Sequence, residues 1–295
     1  MSRILLVTGG AGHVGSHVIE QLAAAYPKDR IISLDNYFNG SLENHMDAPN
    51  VEYRRGHTKD IAELVPEKPD IVYHLGEYAR IAPSLTEPLT VFDLNLSGTL
   101  GVLEFCRNRQ VGKLVYAGSS TRFAVEGNGP DQNPYSFTKA ANIRLIEDYA
   151  KWYSDMPPYA ICYFYNAFGP REKGTGKYAT VVAKFMQQYL DGKPFTIDGS
   201  GDQRRKFTYV GDIARGVIIV GEKGEGDGYS LDNPKSYSVK EIAEALGGET
   251  EFTNGYSGRQ DSGETPSRTR QELGWDTTVD IIDYLQKFVA ANPKH

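Results

Sequence analysis

Residues 4–22 read Ile4-Leu-Leu-Val-Thr8, then Gly9-Gly10-Ala-Gly12-His13-Val14-Gly15, then Ser16-His-Val-Ile-Glu-Gln-Leu22. An apolar run rich in β-branched and aliphatic residues feeds a glycine cluster. The glycines give way to apolar positions at helical spacing, Val14, Val18 and Leu22. The stretch predicts strand, tight turn and helix. Gly9 permits the sharp turn, Gly12 lets the backbone approach a pyrophosphate, and Gly15 lets the helix pack closely on the strand. Free N–H groups at the helix start face the anion.

A glycine cluster alone also suits any plain strand-to-helix turn. Here a second apolar run, Arg30-Ile-Ile-Ser-Leu34, ends in Asp35, followed by Asn36. A carboxylate at that distance accepts hydrogen bonds from the adenosine ribose and repels a 2′-phosphate. With no arginine close behind, the pattern selects NAD over NADP.

The 295 residues suffice for one large or two modest domains with a full core. With 40% hydrophobic and 24% charged residues and a net charge of −6, the chain has no electrostatic reason to bind nucleic acid or an anionic membrane. The two cysteines, Cys106 and Cys162, lack metal-ligand spacing, so a disulfide framework or a metal site is not expected, and both read as core thiols. No charged-then-apolar leader opens the sequence and no apolar run reaches membrane-span length; the expectation is a cytoplasmic protein without a membrane partner.

Further strands are read at Val51–Arg55, Asp70–Leu75 and Lys113–Ala117, and helices at Asp60–Leu64 and Pro88–Asn108. Strand and helix alternate. The fold class is therefore α/β, a doubly wound parallel sheet with right-handed crossovers. Gly118-Ser119-Ser120-Thr121 follows a strand, at the edge where such sheets bind ligands, although capping a turn explains each hydroxyl equally well. Asn133 caps a helix that begins at Pro134, which puts Tyr135 and Lys139, four apart, on one face. A nearby ammonium and a positive nicotinamide ring both favour the phenolate, which could take a hydroxyl proton while the same carbon gives hydride to NAD.

The ordered set Thr8–Gly15, Asp35-Asn36, His74-Leu75-Gly76, Asn95–Thr99, Ser119–Thr121 and Tyr135–Lys139 resembles the extended short-chain dehydrogenase/reductase family, in its nucleotide-sugar epimerase and dehydratase branch. The likeness runs from about Arg3 to Val289. It implies a Rossmann domain of residues 1–164 plus about 207–230, and a smaller C-terminal α/β substrate domain of about 165–206 plus 231–295. It carries NAD contacts onto Gly9, Gly12, His13, Val14, Gly15, Asp35, Asn36, Leu75, Gly76, Asn95, Tyr135 and Lys139. The catalytic set becomes Ser119, Tyr135 and Lys139. Asn166 falls on a position that contacts substrate phosphate, and Arg205 and Arg259 on phosphate-binding arginines, sensible as bidentate donors in an acidic chain. The resemblance also implies a homodimer paired through helices Pro88–Asn108 and Pro134–Tyr153. Helices are expected at Lys177–Leu190, Tyr237–Leu246 and Asp280–Val289.

Three positions depart from the family pattern. Gly56-His57-Thr58 replaces the adenine-holding Gly-Asp step. The segment after Thr121 is short and reads Arg122-Phe123-Ala124. Gly76-Glu77 stands for the usual Ala-Ala, which lets Glu77 touch the sugar or pair with Arg80 or Lys139. Members that eliminate water carry an Asp-Glu pair where this chain has Ser120 and Thr121, here assigned to substrate contact. The expected function is therefore an epimerase of a nucleoside-diphosphate sugar, a UDP-hexose 4-epimerase acting through a transient 4-keto intermediate. The alternatives are a 4,6-dehydratase using Glu77 as acid and a non-catalytic NAD-binding regulator.

Overall fold

The structure is a computed structural model and describes residues 2–123, 132–254 and 268–293. Seven parallel strands form the central sheet: β1 (Ile4–Thr8), β2 (Arg30–Asp35), β3 (Val51–Arg55), β4 (Ile71–His74), β5 (Lys113–Ser119), β6 (Tyr159–Phe164) and β7 (Gly226–Leu231). Their order is β7-β6-β5-β4-β1-β2-β3. The chain reverses direction across the sheet between β1 and β4, and the crevice at the carboxyl ends of those strands is where such sheets take ligands.

Both faces are covered, as an all-parallel sheet requires. On one face α1 (His13–Ala25) packs beside the helix Val210–Lys223, burying Val18, Ile19, Leu22, Ile213 and Val217 with the β1 residues Leu5 and Val7. On the other face, Val102, Leu103 and Phe105 of α2 (Gly98–Asn108) and Ile143 and Ile146 of α3 (Pro134–Trp152) close over Leu6, Val72 and Leu114. Cys106 and Cys162 belong to opposite layers, both as buried free thiols. Burial pushes the Cys162 thiol up to about 12, which leaves it inert.

The segment Pro88–Asn108 is continuous helix, but its five residues Asp93–Ser97 widen into a π turn between α-helical Pro88–Phe92 and α2. By length and composition this helix could cross a membrane, contrary to the reading of the sequence; half of it is buried inside the fold. A third core gathers Phe168, Phe185, Phe195, Ile242 and Leu285 from the smaller C-terminal part. Its helix Val181–Leu190 starts four residues later than the periodicity suggests, because Thr180 accepts from Ala183 N and caps it there. Tyr237–Ser238 is strand rather than helix, paired with Arg204–Arg205. The following helix Val239–Leu246 opens on a capping box of Ser238 and Glu241.

Candidate active site

A cavity of about 470 Å³ runs along the carboxyl ends of β1, β4 and β5 and is walled by the smaller core on its far side. At one end, Gly9 has φ +71° and faces Gly76 so closely that a Cβ on Gly9 would stand 2.7 Å from the Gly76 Cα. A Cβ on Gly15 would stand 2.1 Å from the Gly9 carbonyl oxygen, so only glycine lets α1 seat against the turn. Gly12 precedes α1 with no side-chain cap and no acid in the first turn, which leaves the helix-start N–H groups to the cavity. His13 lines the same wall, and its buried Nε2 has no hydrogen-bond partner. Burial, with His17 and Arg80 nearby, pushes the His13 imidazole down to about 3 and keeps it neutral. Val14, Leu75 and Asn36 also face the cavity.

Asp35 ends β2 at the cavity edge. Its Oδ2 accepts from Ala11 N at 2.9 Å and its Oδ1 from Tyr37 N at 2.7 Å, which orients the carboxylate, while burial pushes its pKa up. A Cβ on Gly40 would stand 3.0 Å from Asp35 Oδ1. An open helix start, an orphaned polar nitrogen and an oriented acid fit the diphosphate and ribose of NAD. His57, the departure from the usual adenine contact, caps the following turn by accepting from Lys59 N at 3.0 Å. Gly56 and Thr58 line the cavity beside it.

At the other end, Asn133 Oδ1 accepts from Ser136 N at 2.8 Å and starts α3, so that Tyr135 and Lys139 emerge one turn apart into the cavity. Lys139 is buried and donates to the Ala117 carbonyl at 2.7 Å. Ser119, at the end of β5, accepts from Thr121 N at 3.2 Å and Thr121 Oγ1 at 3.0 Å. Its own hydroxyl proton is therefore directed elsewhere. Ser120 and Thr121 are buried along the same wall.

Two assignments change. Glu77 borders the cavity, but its carboxylate is turned to Lys139, one of the pairings the sequence left open: its side chain is 1% exposed and its Oε2 lies 2.5 Å from Lys139 Nζ. Arg80 instead donates to the Tyr178 carbonyl at 2.7 Å. Asn95 does not line the cavity. The π turn carries it inward, where its Oδ1 accepts from Tyr78 N at 2.6 Å and its Nδ2 donates to Thr138 Oγ1 at 2.9 Å.

Asn166 (φ +27°) and Arg205 line the cavity on the C-terminal side. Asn166 Nδ2 donates to the Lys206 carbonyl at 2.9 Å. Arg259 lies outside the described residues. Sequence reasoning missed Glu172, two residues beyond Gly169-Pro170, which lines the cavity, accepts from Thr180 and is pushed up to about 7 by burial. Its place just after a recognised motif was the available signal. Among the described residues no cluster of three or more His, Cys, Asp or Glu is arranged to hold a metal.

Known proteins resemble this chain along its length. A Thermus thermophilus UDP-glucose 4-epimerase crystallised with NAD is 27% identical, with a TM-score of 0.83 over 97% of this chain and 98% of that one. The UDP-glucuronic acid decarboxylase 1 of Xenopus tropicalis is 27% identical over 97% of this chain and 71% of its own length. The dTDP-D-glucose 4,6-dehydratase of Dictyostelium discoideum is 28% identical over 82% and 61%. Residues 5–232, which hold the glycine turn, the oriented Asp35 and the Tyr135-Lys139 face, match the profile of one family. The chain belongs to the NAD dependent epimerase/dehydratase family and is an NAD-dependent enzyme.

Proposed function

We propose that this enzyme is an epimerase of a nucleoside-diphosphate sugar, a UDP-hexose 4-epimerase. The observation that carries the reading is the chemistry beside Ser119. The two following positions offer hydroxyls, Ser120 and Thr121, and the carboxylate closest in sequence to the cofactor edge, Glu77, is spent on Lys139. Elimination of water needs a proton donor and a base at the sugar; epimerisation needs only reversible oxidation of one alcohol.

Bound NAD, held by the Gly9–Gly15 turn and Asp35, supplies the hydride acceptor and donor. Tyr135 takes the proton of the sugar hydroxyl and later returns it. Ser119, its lone pairs occupied by Thr121, donates its hydroxyl proton to the reacting oxygen. Lys139, fixed to the Ala117 carbonyl, stands one turn along the same helix face as Tyr135. Asn166 and Arg205 receive the sugar's diphosphate, with Arg259 as a further donor. The same reading gives the enzyme a two-fold dimer. Leu100 on α2 and Phe137 and Trp152 on α3 are exposed, and such apolar faces suit a helix-to-helix contact between copies.

Incubation with UDP-, GDP-, CDP- and dTDP-sugars, followed by NMR of the products, tests the reading. Inversion at C4 is expected; a 4-keto-6-deoxy product or loss of a sugar carboxylate overturns it. The second reading, a 4,6-dehydratase, rests on Glu172, a cavity carboxyl that burial raises to about 7 and so suits to proton donation. A panel with no product and no binding would favour the regulatory reading. Tyr135→Phe should lower turnover by about two to four orders of magnitude while leaving NAD bound; near-normal turnover would remove Tyr135 from its role.

A further inference from the structure

Behind the catalytic face lies a buried polar cluster centred on Glu77, to which the reaction above assigns no step. Its Oε1 accepts from Thr99 Oγ1 at 2.5 Å and Asn142 Nδ2 at 2.8 Å. Its Oε2 accepts from the Tyr116 hydroxyl at 2.9 Å and lies 2.5 Å from Lys139 Nζ. Four donors, from α2, α3 and β5, converge on two oxygens, and a carboxylate is the form that accepts them all. The one imidazole in the cluster, His74 on β4, is bridged by Thr8 at 2.8 Å and Thr99 at 3.0 Å, and burial pushes it down to about 4, so it adds no positive charge. Arg80, in the loop after β4, is turned to the carbonyls of Tyr178 and Ala79. Lys139 is thus the cation that Glu77 faces, and Tyr135 is the other titratable group on that face of α3.

An ammonium has three N–H bonds. Lys139 gives one to Glu77 and one to the Ala117 carbonyl, leaving one for the cavity. A lone lysine there would oppose the positive nicotinamide ring of NAD+ and favour the reduced form, whose ring is neutral. A carboxylate on its far side cancels that field.

We propose that Glu77 is the counter-ion of Lys139, a positioning residue that fixes the lysine and cancels its charge at the nicotinamide end, so that the enzyme holds NAD+ in preference to NADH. Glu77→Gln keeps the shape and one of the two acceptor oxygens, replaces the other with an amide donor, and removes the charge. The inference rests on NAD binding and not on which sugar reacts, so its test contains no sugar.

The experiment is calorimetric titration of the cofactor-free enzyme with NAD+ and, separately, with NADH. In Glu77→Gln the ratio Kd(NAD+)/Kd(NADH) should rise about tenfold, the effect of one unit charge several ångströms away in a partly shielded site. Lys139→Met is the second arm, and its ratio should move the other way because the carboxylate is then unopposed. The double variant should return toward the wild-type ratio, which a purely structural role for Glu77 would not produce. A ratio within twofold of wild type in either folded single variant overturns the proposal. Failure to epimerise a sugar would leave these ratios untouched, so the two readings fail separately.

Discussion

Glu172 shows what one residue contributes through its protonation. Its carboxyl is held near 7 in the fold, chiefly by burial, against an ordinary value of 4.5. The folded state therefore binds the proton more tightly than the unfolded chain does. The stability this confers is complete below about pH 4.5 and is lost as pH rises to about 7. Glu172→Gln, which can still accept from Thr180, should be more stable than wild type by an amount that grows over that interval, on the order of 1 to 3 kcal/mol at its plateau. Urea unfolding of both proteins at about pH 5 and about pH 8 measures it. A difference that does not grow with pH would show that burial is not the cause. The same residue illustrates what the sequence left unread. Its charge, type and position were visible beside Gly169-Pro170, but the burial that makes it an acid near neutrality exists only once the chain has folded.

At the scale of the element, the π turn in Pro88–Asn108 is the informative case. Apolar spacing predicted one helix there, and helix it is. The extra residue per turn over Asp93–Ser97 carries Asn95 inward, where its amide serves the backbone of Tyr78 from inside the fold. That inward turn is why a position expected to contact the cofactor does not line the cavity. Asn95→Leu should cost at least about 2 kcal/mol, because it leaves the Tyr78 N–H buried and unpaired. Asn95→Asp, which keeps the acceptor, should cost less. Thermal unfolding of both variants compares them, and equal losses would refute the role given to Oδ1. Other element boundaries follow the same logic. Asn133-Pro134 set the start of α3 as the sequence indicated, because cap and proline act within one turn. Tyr237–Ser238 became strand because Arg204–Arg205, more than thirty residues back, offered a partner.

Across the whole molecule, the parallel sheet supplies a rigid edge and the C-terminal core supplies the opposite wall of the cavity. Trp275 ties the two: fully buried, it donates from Nε1 to the Asp212 carbonyl at 2.9 Å, while the Asp212 carboxylate accepts from Thr278 N at 2.7 Å. The proposed dimer belongs to this scale. Sedimentation should give twice the chain mass of 32.7 kDa, and Leu100→Asp combined with Phe137→Asp should give the monomer; a monomeric wild type would refute the interface. The sequence by itself determined the alternation of strand and helix, the glycine turn with its acid at Asp35, and the shared face of Tyr135 and Lys139. Each of these depends on backbone sterics and on spacing within a few residues. Tertiary structure alone decided that Glu77 belongs to Lys139, 62 positions away, that Asn95 turns inward, and that Glu172 faces the cavity. Those outcomes depend on which buried donors and acceptors meet once the sheet has formed, and no local pattern encodes that meeting.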